Sequence, residues 1–124
     1  MMTINKKNNV KVAIIDRGES NLHTVQDALD MMSNAQCVDC MNMLIHKDNI
    51  HEKFFDLKTK FAGEVLQKFI NYQMRLAIIG DFSHYTSKSL KDFIYECNKG
   101  QWIFFKATVE EGLNALHSVA LKTF

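Results

Sequence analysis

Proline is absent from the 124 residues and glycine occurs only five times. Turns must therefore be made by Asn, Asp and those few glycines, which tolerate the backbone angles that tight turns demand. Charge of one sign is also missing: 15 Lys and Arg face 14 Asp and Glu, a formal net charge of +1. That balance removes the basic surplus of a dedicated nucleic-acid binder and the acidic signature of a disordered tail. No run approaches the roughly eighteen apolar residues that a membrane helix needs. The opening MMTINKKNN has no apolar core of a secretory signal, so neither a span nor export is expected. Cysteine is scarce and odd in number, three in all, which suits a reducing cytosol better than a disulfide framework. What is abundant is apolar side chain, 47% of the sequence, enough for one core and too little chain for two. A single domain over residues 1–124 follows.

The apolar residues fall into alternating patterns. Val10 to Ile15 is a β-branched run ending at Asp16 and Gly18, and Met2 to Lys6 can pair with it through Asn8-Asn9 as a hairpin. Leu22, Val25, Leu29 and Met32 recur at helical steps, with Ser20 or Asn21 as cap. Val38 to Ile45 reads as a strand and His46 to Lys53 as a polar loop. Asp56 is placed to cap a long helix reaching Tyr72, in which Gly63 suggests a close backbone approach to the sheet. Arg75 to Gly80 is the clearest buried strand, and Leu90, Phe93, Ile94 and Cys97 mark a helix that Gly100 should end in a left-handed turn. Trp102 to Phe105 forms a last strand, and Thr108 with Glu111 a capping box for a final helix. This alternation predicts an α/β fold: a mixed, mostly parallel sheet of four or five strands, an N-terminal hairpin and about four helices.

Ligands of open α/β sheets bind beyond the carboxyl ends of the strands. Three loops qualify: Asp16 to Ser20, His46 to Thr59, and Gly80 to Ser87. They offer Asp16, Arg17, Asp56, Thr59, Asp81, Ser83, His84, Tyr85, Ser87 and Lys88. The stretch from Gly80 to Lys88-Ser89 follows a strand and opens a helix, as a phosphate loop would. It lacks the second glycine, the spacing is too long, and Phe82 and Tyr85 crowd it, so nucleotide hydrolysis by that route is not expected. Amides near Ser87 and the ammonium of Lys88 could still hold one anion.

Other motifs carry less. Cys37-x-x-Cys40 has no second ligand pair for zinc and enters a strand rather than opening a helix, so both thiols read as structural. His46 and His51 flank Asp48 at a spacing that matches no ligand motif. Asp81, Ser83 and His84 invite a catalytic triad, but neighbours in one short loop rarely reach its geometry. Asp56 and Glu64 would stand about 12 Å apart along a helix, too far to share a proton. Glu64 and Lys68 form an ordinary surface pair, and Met31, Met32, Met41 and Met43 read as core filler. No metal or cofactor is expected.

Phe55-Asp-Leu-Lys-Thr59, Ala62 to Tyr72, Leu76 to Ser83 and Ser87 to Glu96, continued by Asn98-Lys-Gly100 and the WIFF strand, resemble a bacterial domain-of-unknown-function family, number 4180. The resemblance covers almost the whole chain and carries no activity with it. It implies a glycine where this chain has Lys60, which bears on how well that helix start suits an anion. More distantly, the order of elements is similar to the anti-sigma-factor-antagonist (STAS) and lipid-binding fold. There an Asp-Ser pair at the helix after the third strand carries a regulatory phosphate; the matching place is Asp56 to Thr59, with Thr59 as the nearest hydroxyl.

Together these features predict a small cytoplasmic, STAS-like binding or regulatory module acting through its strand-end loops, not an enzyme. Its partner would be a protein or a small anionic or apolar ligand, with no nucleic acid and no membrane span, and a homodimer is compatible. The alternative is an enzyme or anion-binding protein with a polar pocket at the helix starts after Asp56 and Gly80. Its binding residues would be Asp56, Thr59, Asp81, Ser83, Tyr85, Ser87 and Lys88.

Overall fold

The computed structural model describes residues 2–18 and 21–122. Strands β1 (Met2–Lys7) and β2 (Val10–Ile15) form the antiparallel hairpin that the Asn pair predicts. Asn8 and Asn9 take φ of 53° and 66°, the conformation that a two-residue turn of this hand requires. Then come α1 (Val25–Gln36), β3 (Asn42–His46), α2 (Phe61–Asn71), β4 (Arg75–Ile79), α3 (Lys88–Lys99), β5 (Ile103–Lys106) and α4 (Val109–Lys122). The five strands lie in sequence order, β2 to β5 all parallel and β1 antiparallel at one edge.

That order decides where the helices go. Each crossover steps to the next strand in the same direction, so with one crossover hand α1, α2 and α3 must share a face. The packing agrees: Ala13, Ile15, Met43, Ile45, Leu76, Ile78, Ile103 and Phe105 form one core with residues of these helices. Side chains of the opposite parity, Val12, Leu44, Ala77, Ile79 and Phe104, pack against Leu116 and its neighbours on α4. α4 follows the last strand, needs no crossover, and takes the other face alone. Its seat is Gly112, where an added Cβ would lie 2.6 Å from Ile79 Cδ1 and 3.0 Å from Leu44 Cδ1.

Several boundaries differ from the sequence reading, each for a local reason. α1 starts at Val25 because Thr24 and Asp27 make a reciprocal capping box; Ser20 lies outside the described residues, and Asn21 is not the cap. Leu22 instead leaves the helix and bridges Ile50. β3 begins only at Asn42, because Asp39 at φ 62° turns the chain back after α1. The pair Cys37 and Cys40 therefore sits in that turn, not in a strand, with Cys37 exposed and Cys40 buried. Asp56 caps a short 3-10 turn (Leu57–Thr59) rather than the long helix. Lys60 then breaks the path at φ 66°, a conformation that a glycine would hold without strain. Gly63 makes no close approach, since an added Cβ there meets nothing within 4 Å. Gly100 ends α3 at φ −88°, not left-handed.

β5 is the far edge, and the outward groups of its Phe105 are taken by one of the chain's own side chains. The Phe105 N–H donates to Asn98 Oδ1 at 2.8 Å, and Asn98 Nδ2 donates to the Phe105 carbonyl at 3.2 Å. One residue pair on, the Ala107 N–H donates to Glu111 Oε2 at 3.1 Å. An open edge is a template for pairing with another chain, and Asn98 blocks it. Asn98→Ala is expected to lose about 1–2 kcal/mol of unfolding free energy in urea and to populate dimers in sedimentation. Unchanged stability and a monomer would mean that water replaces the amide without cost.

At the hairpin, His117 of α4 is 6% exposed, and its Nε2 lies 2.7 Å from Asn5 Oδ1. An amide oxygen only accepts, so Nε2 carries the hydrogen and the buried, unpartnered Nδ1 is bare. Burial, with Lys7 nearby, holds this imidazole below its ordinary value. The unfolded chain then binds the extra proton first, so stability present above about pH 6.5 falls as the pH drops below it. The slope is at most about 1.4 kcal/mol per pH unit for each proton. Urea unfolding at pH 7.5 and 5 measures the fall, and His117→Gln should flatten it; an equal fall in the variant would assign the loss elsewhere.

Candidate functional site

β2, β3, β4 and β5 end side by side, and a cleft of about 330 Å³ lies beyond them on the α4 face. Each strand end contributes. Arg17 follows β2; His46, Lys47 and Asp48 close β3; Ile79, Gly80 and Asp81 close β4; Ala107, Thr108 and Val109 join β5 to α4. A sheet wound in one direction has no reversal of strand order and so no switch-point crevice. Here the step from the sheet rim up to the start of α4 supplies the concavity.

The rim is tied together by hydrogen bonds. Asn49 Nδ2 donates to the Asp16 carbonyl at 3.0 Å, and the Leu22 N–H donates to the Asn49 carbonyl at 2.7 Å, joining the ends of β2 and β3. Across this joint the Arg17 guanidinium contacts the Asp48 carboxylate as an ion pair, both side chains more than half exposed. Burial and the neighbouring Arg17 charge push His46 below its ordinary value, with Asp48 opposing. Asp81 Oδ1 accepts from the Ser83 hydroxyl at 2.6 Å and from the Ser83 N–H at 2.9 Å. These bonds hold its carboxyl below the usual range, helped by His84 and Lys47. Thr108 Oγ1 accepts from the Glu111 N–H at 3.1 Å, one half of the capping box expected for α4, while the Glu111 carboxylate takes the Ala107 N–H instead of that of Thr108; the Thr108 hydroxyl hydrogen is left free to donate.

Lys47 has the most distinctive seat. Its stem lies across Gly80 so closely that a Cβ there would be 2.6 Å from Lys47 Cγ and Cδ. Its ammonium stands 5.3 Å from the centre of the Tyr85 ring. Tyr85 in turn stacks on Phe55 at 5.2 Å and donates its hydroxyl to Glu52 Oε1 at 3.0 Å. Burial and that carboxylate raise the phenol well above its ordinary range, so it stays a donor.

The residues expected from sequence are thus divided. Asp81 lines the cleft, and Arg17, offered by the first loop, lines it too. Ser83 stands behind Asp81, and Tyr85 sits behind Lys47. The loops after Asp56 and Gly80 do meet, but through rings: Phe55, Phe82 and Tyr85 pack on the three-helix face. Asp56 Oδ1 is turned to the Lys58 N–H, and Thr59 Oγ1 lies 2.7 and 2.8 Å from the carbonyl oxygens of Lys53 and Asp56, which share its one hydrogen. Neither lines the cleft. Ser87 caps α3 by accepting from the Leu90 N–H, and Lys88 pairs with Asp92 at 2.7 Å in the open. His84 leans on the Tyr85 ring at 4.1 Å, and the Ser83 hydroxyl donates to Asp81 rather than to that imidazole, so no Ser-His pair forms.

The sequence singles out His46 and Asp48 only as candidate metal ligands and gives Lys47 and Thr108 no binding role. The available signal is position: His46 ends β3 and Lys47 and Asp48 follow it, while Thr108 is the first polar residue after β5. Among the described residues no group of three His, Cys, Asp or Glu could hold a metal ion, and no helix is long and apolar enough to cross a membrane.

The profile of a protein family described as a domain of unknown function (DUF4180) matches residues 7–116. The chain belongs to the DUF4180 family. Every residue lining the cleft falls inside the matched span. No curated protein and no solved structure matches the chain.

Proposed function

We propose that the chain is a binding module that takes a small polar ligand into the strand-end cleft, and that it acts by binding rather than by catalysis. The observation that carries this reading is convergence: four consecutive parallel strands deliver Arg17, His46, Lys47, Asp81 and Thr108 to one concavity of small-molecule size. Against catalysis stands the use already made of the reactive groups. The Ser83 hydroxyl donates to Asp81, a carboxylate held below its usual range and so a weak base, and among the described residues no hydroxyl or thiol of the cleft is hydrogen-bonded to a histidine. The reading moves the site from the Asp56–Thr59 loop to the opposite face of the sheet.

A regulatory phosphate on Thr59, as the STAS comparison suggests, fits less well. That hydroxyl's one hydrogen is already shared between two carbonyls, and its oxygen accepts from the Phe61 N–H at 3.2 Å, so a phosphate there would break the turn that starts α2. Three free thiols, Cys37, Cys40 and Cys97, favour a reducing compartment such as the cytoplasm.

A thermal-shift panel of phosphorylated metabolites, dicarboxylates and amino acids tests the reading. At least one class should raise Tm in the wild type and in Asp56→Asn but not in Arg17→Ala. A rise that survives Arg17→Ala and vanishes in Asp56→Asn would return the site to the other face.

A further inference from the structure

The cleft's charges are formally balanced, Arg17 and Lys47 against Asp48 and Asp81, but they are not equally committed. Asp48 is engaged by Arg17, and Asp81 by both donors of Ser83. Arg17 contacts Asp48 through one terminal nitrogen and keeps the rest of its planar fork. Lys47 makes no ion pair among the described residues; its ammonium rests on the face of Tyr85. An ammonium on a ring face holds most of its hydrogen-bonding capacity in reserve, since the ring takes up its charge but not three directed donors. Thr108 adds a free hydroxyl hydrogen, and the first turn of α4 adds amides without intrahelical partners. Glu111 spends its carboxylate on the Ala107 N–H. Asp48 Oδ1, Asp81 Oδ2 and the His46 ring remain as acceptors, but the Arg17 fork, the three Lys47 donors, the Thr108 hydroxyl and the first amides of α4 outnumber them.

From this arrangement we infer that Lys47, seated on Gly80, is the residue that reads ligand charge, and that the ligand carries an anionic oxygen group, carboxylate or phosphate. The inference rests on the cleft reading above. Gly80 follows from it as a positioning residue: any side chain at 80 would collide with the Lys47 stem and swing the ammonium off the Tyr85 ring. A lysine held this way reaches into the cleft by pivoting about its last bonds, without first breaking a salt bridge.

Amide NMR titration of the full chain with sodium phosphate and, separately, sodium succinate, at constant ionic strength made up with chloride, tests this. L-serine amide serves as a non-anionic polar probe. The amides of Gly80, Asp81, Thr108 and Val109 should shift with one or both anions and not with the amide probe. The anion that shifts them identifies the source as phosphate or carboxylate. Lys47→Gln should weaken that binding about tenfold, the loss expected for a charged hydrogen bond. Gly80→Ala should weaken it several-fold with the fold intact, and Lys91→Gln, on the outer side of α3, should leave it unchanged. Equal affinity in Lys47→Gln, or cleft shifts with serine amide alone, overturns the inference and leaves the binding site standing. No shift at any cleft amide with any of the three probes counts against the anion inference, and it counts against the cleft itself if the metabolite panel is also silent.

Discussion

Gly112→Leu is expected to lower unfolding free energy by about 3 kcal/mol and to disorder the start of α4 along with it. The position faces Ile79 and Leu44 across the closest helix–sheet contact that any glycine of the chain makes, where an added Cβ would itself lie 2.6 and 3.0 Å from their Cδ1 atoms. A leucine must either push α4 off the sheet or force both neighbours from their rotamers. Because α4 is the helix that covers this face, lifting it exposes Val12, Leu44, Ala77 and Phe104 and pulls Thr108 and Val109 away from the cleft. Gly112→Ala separates crowding from propensity. Its methyl meets the mobile tip of Ile79, and alanine gains about 1 kcal/mol over glycine in a helix, so the net change should stay within about 1 kcal/mol. Chemical denaturation of both variants measures the contrast; a leucine variant as stable as wild type would mean that α4 is loosely held.

Phe54→Ala should cost about 3–5 kcal/mol, the range for emptying the site of a fully buried aromatic. Phe54 is 1% exposed and packs edge-on against Phe55 at 5.1 Å and Phe61 at 6.2 Å. It anchors the segment between β3 and α2, whose 3-10 turns have few backbone bonds of their own to hold them. Its loss also loosens Phe55, on which Tyr85 stacks behind Lys47. Urea unfolding gives the stability, and the amide shift of Gly80 reports whether the disturbance reaches the cleft. A cost below about 1 kcal/mol would show that the segment holds itself without this ring.

The parts of this fold that can be read from sequence are those fixed by local chemistry. VKVAII and RLAII are strands because their β-branched and apolar residues suit a pleated, buried layer, and Asn8-Asn9 closes the hairpin because Asn accepts positive φ. Alternation of strand and helix then leaves few topologies. Boundaries were harder where a side chain outcompetes a pattern. Leu22 fits the apolar stripe of α1, yet Thr24 and Asp27 start the helix three residues later. Asp56 has the chemistry of a cap and does cap, but only a single turn, because Lys60 sits at positive φ before α2.

The site divides in the same way. That polar residues gather beyond the strand ends follows from the alternation alone. Which of them share a cavity depends on the face that each loop turns to, and that is set by where its aromatic residues are buried. Phe55, Phe82 and Tyr85 draw the loops after β3 and β4 toward the three-helix face, and Asp56, Thr59, Ser87 and Lys88 go with them. Lys47 and Asp81 stay at the cleft because Lys47 follows β3 directly and Asp81 follows β4 with only Gly80 between. No local pattern marks Gly80 as the seat of a lysine from another strand; that pairing exists only once β3 and β4 are adjacent.

The most direct test is a crystal structure of the chain grown with whichever compound of the thermal-shift panel raises Tm the most. The expected result is ligand density between Arg17, Lys47 and Thr108, with Asp56 and Thr59 untouched. Density seated against Asp56 and Thr59 on the three-helix face, with the strand-end cleft holding only solvent, would contradict it.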